Sequence, residues 1–204
     1  DTGRGDVTFA SATTLTGPVV IRAGLSGSNH PSGPTTGNVI FSSTLDGTTA
    51  GTQNLTLTAG VGNITFTGAV GNSTALGAML ITATNQTLAS SIINTASLVQ
   101  SAGTLTTLTD NVTTTTDAGV NLTTTDIRLG GRTIDTTSGN GIVRMNGDTR
   151  LDAAITVTRG TGAVTFTGTI DSEASETNNL TIDGANGATI AFQDNVGAST
   201  NGRL

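Results

Sequence analysis

The chain has 204 residues, of which 45 are Thr and 28 are Gly, with 11% charged residues, five Phe, and no Trp, Tyr, Cys or Lys. The net charge of −6 comes mainly from 12 scattered Asp, and the eight Arg are isolated, so the sequence has no basic patch that would neutralise nucleic-acid phosphates. Alternating Val, Ile and Thr argue against a disordered chain, and the longest apolar run, residues 78–81, is far shorter than the roughly 20 residues of a membrane-spanning helix.

The first predicted element is a short strand that ends in Phe and recurs along the chain. Its five copies are Gly5-Asp6-Val7-Thr8-Phe9, Gly37-Asn38-Val39-Ile40-Phe41, Gly62-Asn63-Ile64-Thr65-Phe66, Gly162-Ala163-Val164-Thr165-Phe166 and, with one extra residue, Gly187-Ala188-Thr189-Ile190-Ala191-Phe192. The Phe separations of 32, 25, 100 and 26 residues predict a repeat of about 25 residues with a seven-residue insertion in the first copy. Because strand side chains alternate between faces, all five Phe are expected to form a structural core: Phe9, Phe41, Phe66, Phe166 and Phe192.

The insertion predicts a loop over residues 26–34, which contain Pro31, Pro34 and the only histidine, His30. A second strand signal begins at residues 55, 80, 105, 155 and 180, again at multiples of 25. The copy expected near residue 130 is displaced, so residues 100–150 are interpreted as a degenerate middle of the repeat. Residues 87–100 fit a weak amphipathic helix and short strands equally well.

Short strands at a regular spacing predict an all-β fold. Two or three strands per unit cannot bury an apolar face alone, whereas stacked units build one continuous core. We therefore predict a parallel β-helix, or β-solenoid, of about eight turns in a single unit over residues 1–204. Tandem β-sandwiches are the alternative, since they also have evenly spaced strands and turn residues.

The repeat units resemble those of a known family. Gly62-Asn63-Ile64-Thr65-Phe66-Thr67-Gly68-Ala69-Val70-Gly71, followed by Ala75-Leu76-Gly77-Ala78-Met79-Leu80-Ile81-Thr82, looks like the tandem repeats of giant filamentous-haemagglutinin-like bacterial surface proteins. The resemblance covers most of the chain but fades between about residues 100 and 150. It implies an exported, cell-surface, right-handed β-helix used for adhesion or matrix building, and it transfers no functional residues.

The sequence offers little for catalysis, and we expect neither an enzyme nor a cofactor. Nucleophilic catalysis needs a positioned base, and His30 beside Pro31 in a predicted loop is the only histidine. The densest acidic cluster, Asp171, Glu173 and Glu176, is interpreted as a solvated loop and only weakly as a calcium site.

Two further motifs can be explained by the repeat structure without a binding function. Arg4-Gly5-Asp6 spells an integrin-recognition tripeptide, but Gly5 is also the glycine that opens the repeat. Thr-x-Thr pairs, such as Thr56 and Thr58 or Thr165 and Thr167, resemble the ladders of ice-binding solenoids, yet they occur in both strand types and beside Asn, Asp and Arg.

The expected function is structural. A solenoid exposes strand edges at its first and last turns, and no dedicated cap is recognisable at either end of this sequence. Either the chain is a fragment of a longer stack, or copies dock head to tail. We expect a rigid rod on a bacterial surface, extracellular or cell-bound, whose partners are copies of itself stacked head to tail into a filament or matrix. The alternatives are an adhesin segment that binds glycan or host protein, which the absence of Trp and Tyr disfavours, and an ice-binding solenoid.

Overall fold

The structure, a computed structural model, describes residues 5–24, 36–89 and 91–198. It is an all-β solenoid of about seven turns that is 2% helical. The predicted loop over residues 26–34, including His30, Pro31 and Pro34, lies outside the described residues, as does Arg4.

The described residues form twenty short strands. In chain order they are β1 (Val7–Phe9), β2 (Thr13–Leu15), β3 (Val19–Arg22), β4 (Val39–Phe41), β5 (Leu45–Gly47), β6 (Leu55–Thr58), β7 (Ile64–Phe66), β8 (Leu76–Thr82), β9 (Gln86–Ala89), β10 (Ile93–Gln100), β11 (Leu105–Leu108), β12 (Val112–Thr114), β13 (Val120–Leu129), β14 (Thr133–Asp135), β15 (Val143–Leu151), β16 (Ile155–Arg159), β17 (Val164–Phe166), β18 (Ile170–Ser172), β19 (Leu180–Gly184) and β20 (Ile190–Phe192). One short 3-10 helix, Thr137–Gly139, lies between β14 and β15.

The strands stack in three columns, here named faces A, B and C. Face A contains β1, β4, β7, β9, β11, the second halves of β13 and β15, and β18. Face B contains β2, β5, the start of β10, β12, β14, β16 and β19. Face C contains β3, β6, β8, the end of β10, the first halves of β13 and β15, β17 and β20. All these strand pairs are parallel, so the β-sandwich alternative, which requires antiparallel sheets, is wrong.

The alternation of each strand explains the core. Val39 and Phe41 of β4 are 0% and 1% exposed, while Ile40 between them is only partly buried. The same inward alternation in every turn produces one continuous apolar interior from Leu15 to Ile170. Burial of this interior by neighbouring turns stabilises the coil, since no single turn has an interior of its own.

The turns are shorter and less regular than predicted. On face A, Val7 pairs with Val39 across the long first turn, and Val39 pairs with Ile64 at the predicted period. The later pairs on this face are closer together in the sequence: Ile64 with Thr87, Thr87 with Thr106, Thr106 with Ile127, Ile127 with Thr149, and Thr149 with Ile170. The predicted repeat of about 25 residues therefore holds only locally, and the solenoid has about seven turns of variable length.

As a consequence, the five Phe do not share one column. Phe9, Phe41 and Phe66 stack on face A, with ring centroids 4.6 and 5.3 Å apart. Phe166 and Phe192 stack on face C, with centroids 5.7 Å apart. The segment between Phe66 and Phe166 makes more than four of the short turns, which carries the later Phe pair to another face.

The predicted Phe core is confirmed for three residues. Phe41, Phe66 and Phe166 are at most 1% exposed, and Phe9 in the first described turn is half-buried. Phe192 is 45% exposed, which corrects its prediction as a core residue. The physical reason is its place in the last described turn, where only one side of the ring is covered by a neighbouring turn.

The middle of the chain follows the same stacking as the rest. Between residues 100 and 150, where the sequence repeat is weakest, β11 to β15 continue all three faces. Residues 87–100, which also fitted a helix, form most of β9 and β10. A degenerate sequence repeat is therefore compatible with continuous strand pairing here.

Corner glycines explain why the Gly-containing motif recurs on two faces. A Cβ placed on Gly62, before face A, would lie 2.1 Å from the carbonyl oxygen of Gly37 in the preceding turn. A Cβ on Gly162, before face C, would lie 2.1 Å from the carbonyl oxygen of Gly141. Both corners bring successive backbones too close for a side chain, so both select glycine.

Candidate functional site: the two open ends

Three of the five large apolar side chains that are exposed among the described residues lie in the last described turn. This turn, the tail end, consists of β19, β20 and Val196. Ile190, Phe192 and Val196 are 43%, 45% and 44% exposed, and together with half-buried Leu180 and Ile182 they line a groove of about 530 Å³. An exposed cluster of large apolar side chains at a strand edge is a typical interaction surface.

The exposed apolar side chains of the tail end continue the rows of the buried core. Ile190 pairs with Val164, and Phe192 pairs with Phe166, and both partners are 0% exposed. The side chains of the last turn thus point inward as they do elsewhere, but the turn that would cover them is not part of this structure. Covering this surface would remove apolar area from water, which is the main source of free energy for association.

The opposite, head end consists of β1, β2 and β3. Val7 and Phe9 of β1, and Val19 and Ile21 of β3, are half-buried because the second turn covers them from one side. Leu15 of β2 is 5% exposed. The head end therefore presents the same three faces as the tail end, with apolar side chains on each.

Hydrogen bonds along the corners give the coil a direction. Seven Asp or Asn side chains, six at corners and Asp46 within β5, accept a hydrogen bond through Oδ1 from a backbone N–H of the next turn, at 2.8 to 3.0 Å for the closest N–H: Asp6, Asn38, Asp46, Asn54, Asn111, Asn140 and Asp148. In each of these bonds the acceptor lies in the earlier turn and the donor in the later turn. These side chains thus present acceptors toward the tail end.

A shallow charged groove of about 460 Å³ lies on face A and reaches β18, the last strand of that face. Asp126 pairs with Asp148, and Arg128 pairs with Arg150, which pairs in turn with Asp171. The Arg150 Nε lies 3.7 Å from the Asp152 carboxylate, and both side chains are partly exposed. An ion pair of this kind contributes little to stability, because water screens it.

The structure does not bring the three candidate calcium ligands together. Asp171 lies in β18 opposite Arg150, whereas the Glu176 carboxylate accepts a hydrogen bond from Asn178 Nδ2 at 2.8 Å. Glu173 accepts through its backbone carbonyl from the N–H of Glu176 in a turn after β18. In the described ranges, no group of three His, Cys, Asp or Glu residues is arranged to hold a metal ion.

The Thr-x-Thr pairs are distributed over different faces. Thr56 and Thr58 point outward on face C, whereas Thr156 and Thr158 point outward on face B. On face C, the position of Thr56 is taken by Leu80 in the next turn, which is 42% exposed. This distribution does not build the flat, regular Thr array expected of an ice-binding face.

Sequence reasoning anticipated open ends but not the residues that form them. Leu180, Ile182, Ile190 and Val196 could have been found only as the last members of their inward rows, which requires the register of each face. Asp6 was found within Arg4-Gly5-Asp6, and its Oδ1 accepts hydrogen bonds from both the N–H and the Nδ2 of Asn38. Asp6 is thus a corner residue of the solenoid.

Among the described residues, no helix has the length and apolar character needed to cross a membrane. No family model, curated protein or solved structure is significantly similar to the chain. The resemblance to filamentous-haemagglutinin-like proteins accordingly holds for the repeated β-solenoid architecture, while the adhesin identity stays a prediction.

Proposed function

We propose that this chain is a structural rod of a bacterial surface, extracellular or cell-bound, whose copies join end to end into filaments. The observation that carries the proposal is the exposure of Phe192 at 45%, when its stacking partner Phe166 is 0% exposed. A second copy placed on the tail end would continue the interior by one turn and cover both apolar and backbone groups. The proposal assigns no catalytic role to the chain.

The backbone supports the same arrangement. In the interior each strand pairs with a strand of the turn before and of the turn after, as β17 does with β15 and β20. β20 has its pairing partner on one side only among the described strands, and so does β1 at the head end. Exposed strand edges readily pair with other chains, and the two ends of this rod have parallel strands in the same three-face order.

Introducing positive charge into the apolar surface of the tail end tests whether copies join end to end. We expect the wild-type chain to form filaments of uniform width in negative-stain electron microscopy and to sediment faster as its concentration rises. Ile190→Arg combined with Phe192→Arg should leave single rods, because the joint would have to bury unpaired charges.

Leu80→Arg is the matched control for that experiment. Leu80 is 42% exposed, close to the 43% and 45% of the two tail residues, but it lies on the lateral surface of face C. The control should assemble like the wild type. Single rods of wild-type protein at every concentration would refute the proposal, and so would equal loss of assembly in the control and the tail variant.

A further inference from the structure

One row of corner residues runs from the head end to the tail end. It consists of the residue that precedes the inward pair on face A in each turn, and strand registers fix its members as Asp6, Asn38, Asn63, Gln86, Leu105, Asp126, Asp148, Thr169 and Asn195. We name this set the corner row. Its first and last described members are Asp6 and Asn195.

At three places along the corner row, a side chain joins neighbouring turns in the same direction. Asn38 donates its N–H to Asp6 Oδ1 at 2.8 Å, and Asn63 donates its N–H to Asn38 Oδ1 at 2.8 Å. Thr169 donates its N–H to Asp148 Oδ1 at 2.9 Å. Each Asp or Asn that acts in this way thus accepts from the member of the row one turn later.

Asn195 is placed to act in the same way toward a further turn. Its carbonyl accepts the N–H of Ile170 in the turn before it, and its side chain is exposed. Asp6 occupies, in the first described turn, the row position of Asn38, Asn63 and Thr169, whose N–H groups donate to the turn before. The two ends of the corner row are therefore complementary.

We infer that the end-to-end contact between two copies is set in register by Asn195 of one copy and Asp6 of the next. This inference rests on the proposed function. The Asn195 carboxamide accepts the N–H of Asp6 through Oδ1 and donates through Nδ2 to the Asp6 carboxylate. Within the chain, Asp6 and Asn38 form a similar pair, in which Asn38 Nδ2 donates to Asp6 Oδ1 at 3.0 Å. There the carboxylate belongs to the earlier turn and the amide to the later turn, whereas at the joint the amide of Asn195 would come first and the carboxylate of Asp6 second.

This register also aligns the apolar rows of the two ends. It sets Val7 of the second copy on Val196 of the first, in continuation of the bridge between Ile170 and Val196. Face C then continues from β20 into β3, with Val19 and Ile21 over Ile190 and Phe192. A second copy is the occupant that supplies all three faces at once, because its head end presents β1, β2 and β3, one parallel strand for each face of the tail end.

Exchanging the amide of Asn195 and the carboxylate of Asp6 tests the proposed register between two copies. We expect Asn195→Asp to weaken association about tenfold in sedimentation velocity, because it places one carboxylate against another at the joint. Asp6→Asn alone should have little effect, since two carboxamides can still pair. The double variant Asp6→Asn with Asn195→Asp should restore association, because it recreates the Asp6 and Asn38 arrangement across the joint.

Asn72→Asp, at an exposed lateral residue, controls for the added negative charge and should associate like the wild type. If Asn195→Asp associates normally while the Ile190 and Phe192 double variant does not, the register is wrong and the proposed function stands. Failure of the double variant to restore association also overturns the register. A wild-type chain that stays monomeric refutes both proposals.

Discussion

At the scale of single residues, corner side chains accept hydrogen bonds from backbone N–H groups that the strand ladders leave without an acceptor. A tight corner turns some backbone N–H groups away from their own strand, and a buried or half-buried N–H without a partner is costly. Asn38 provides such an acceptor, because its Oδ1 accepts a hydrogen bond from the Asn63 N–H, while its Nδ2 donates to Asp6. Asn and Asp are therefore selected at these corners for their short polar side chains.

Removal of the Asn38 carboxamide should thus cost stability. We expect Asn38→Ala to lower the free energy of unfolding by about 1–3 kcal/mol, because the half-buried Asn63 N–H loses its acceptor. Asn38→Asp keeps an acceptor oxygen for the Asn63 N–H but sets a carboxylate against Asp6, so it should recover only part of this loss. Urea denaturation followed by circular dichroism measures the difference, with Asn72→Ala as the exposed control. Equal losses for Asn38→Ala and Asn72→Ala would contradict this account of the corner.

At the scale of strands, the position of a turn in the stack decides what its inward side chains contribute. Phe166 is covered by the turns before and after it and is 0% exposed, whereas Phe192 is covered from one side. The two rings are stacked in the same row, so they differ in neighbours and not in chemistry.

This difference predicts unequal costs of truncation. Phe166→Ala should destabilise the dilute protein by about 3–5 kcal/mol, the usual cost of emptying a buried aromatic site. Phe192→Ala should cost less than half as much under the same conditions, since much of its ring already contacts water. Thermal or urea unfolding of both variants at low concentration is the measurement. A similar loss in both would mean that the tail end is covered in the dilute chain.

The strands and their inward sides were predictable, but the phase of the repeat was not. Alternation such as Val164-Thr165-Phe166 identifies a strand and its buried side from local sequence alone. The length of a corner has no such local rule, and the shortened turns between Phe66 and Phe166 shift the frame of the repeat. The inward positions of face A that continue the row of Phe66 carry Ala89, Leu108, Leu129 and Leu151, which leave no aromatic marker to follow.

The sequence predicted that the solenoid has open ends, but it did not identify the residues that form them. Stacked repeats without a recognisable cap predict open ends whatever the register. The assignment of Asn195 to the row of Asp6 needs the registers of every turn between them, because no sequence period connects the two positions. The acidic residues Asp171, Glu173 and Glu176 are close in sequence, yet strand and turn geometry directs them to different contacts.

At the scale of the whole molecule, the solenoid is a one-dimensional stack. Its seven or so turns, at roughly 4.8 Å each, form a rod on the order of 34 Å long in which each turn contacts only its neighbours. An added copy therefore meets the same kind of surface that each interior turn meets. Because the head and tail surfaces differ, the proposed contact between copies would be heterologous and would not close into a dimer.

A heterologous contact predicts that a tail-blocked chain terminates assembly. The Ile190→Arg and Phe192→Arg variant keeps an intact head end, so it can join the tail of a growing wild-type stack but offers no tail to the next copy. Mixed in at about one part in ten, it should shorten the filaments, and mean length should fall further as its share rises, as counted in negative-stain images. Leu80→Arg at the same share should leave the length unchanged. If filament length does not respond to the blocked chain, the joint does not involve the tail end, and the heterologous contact between head and tail is refuted.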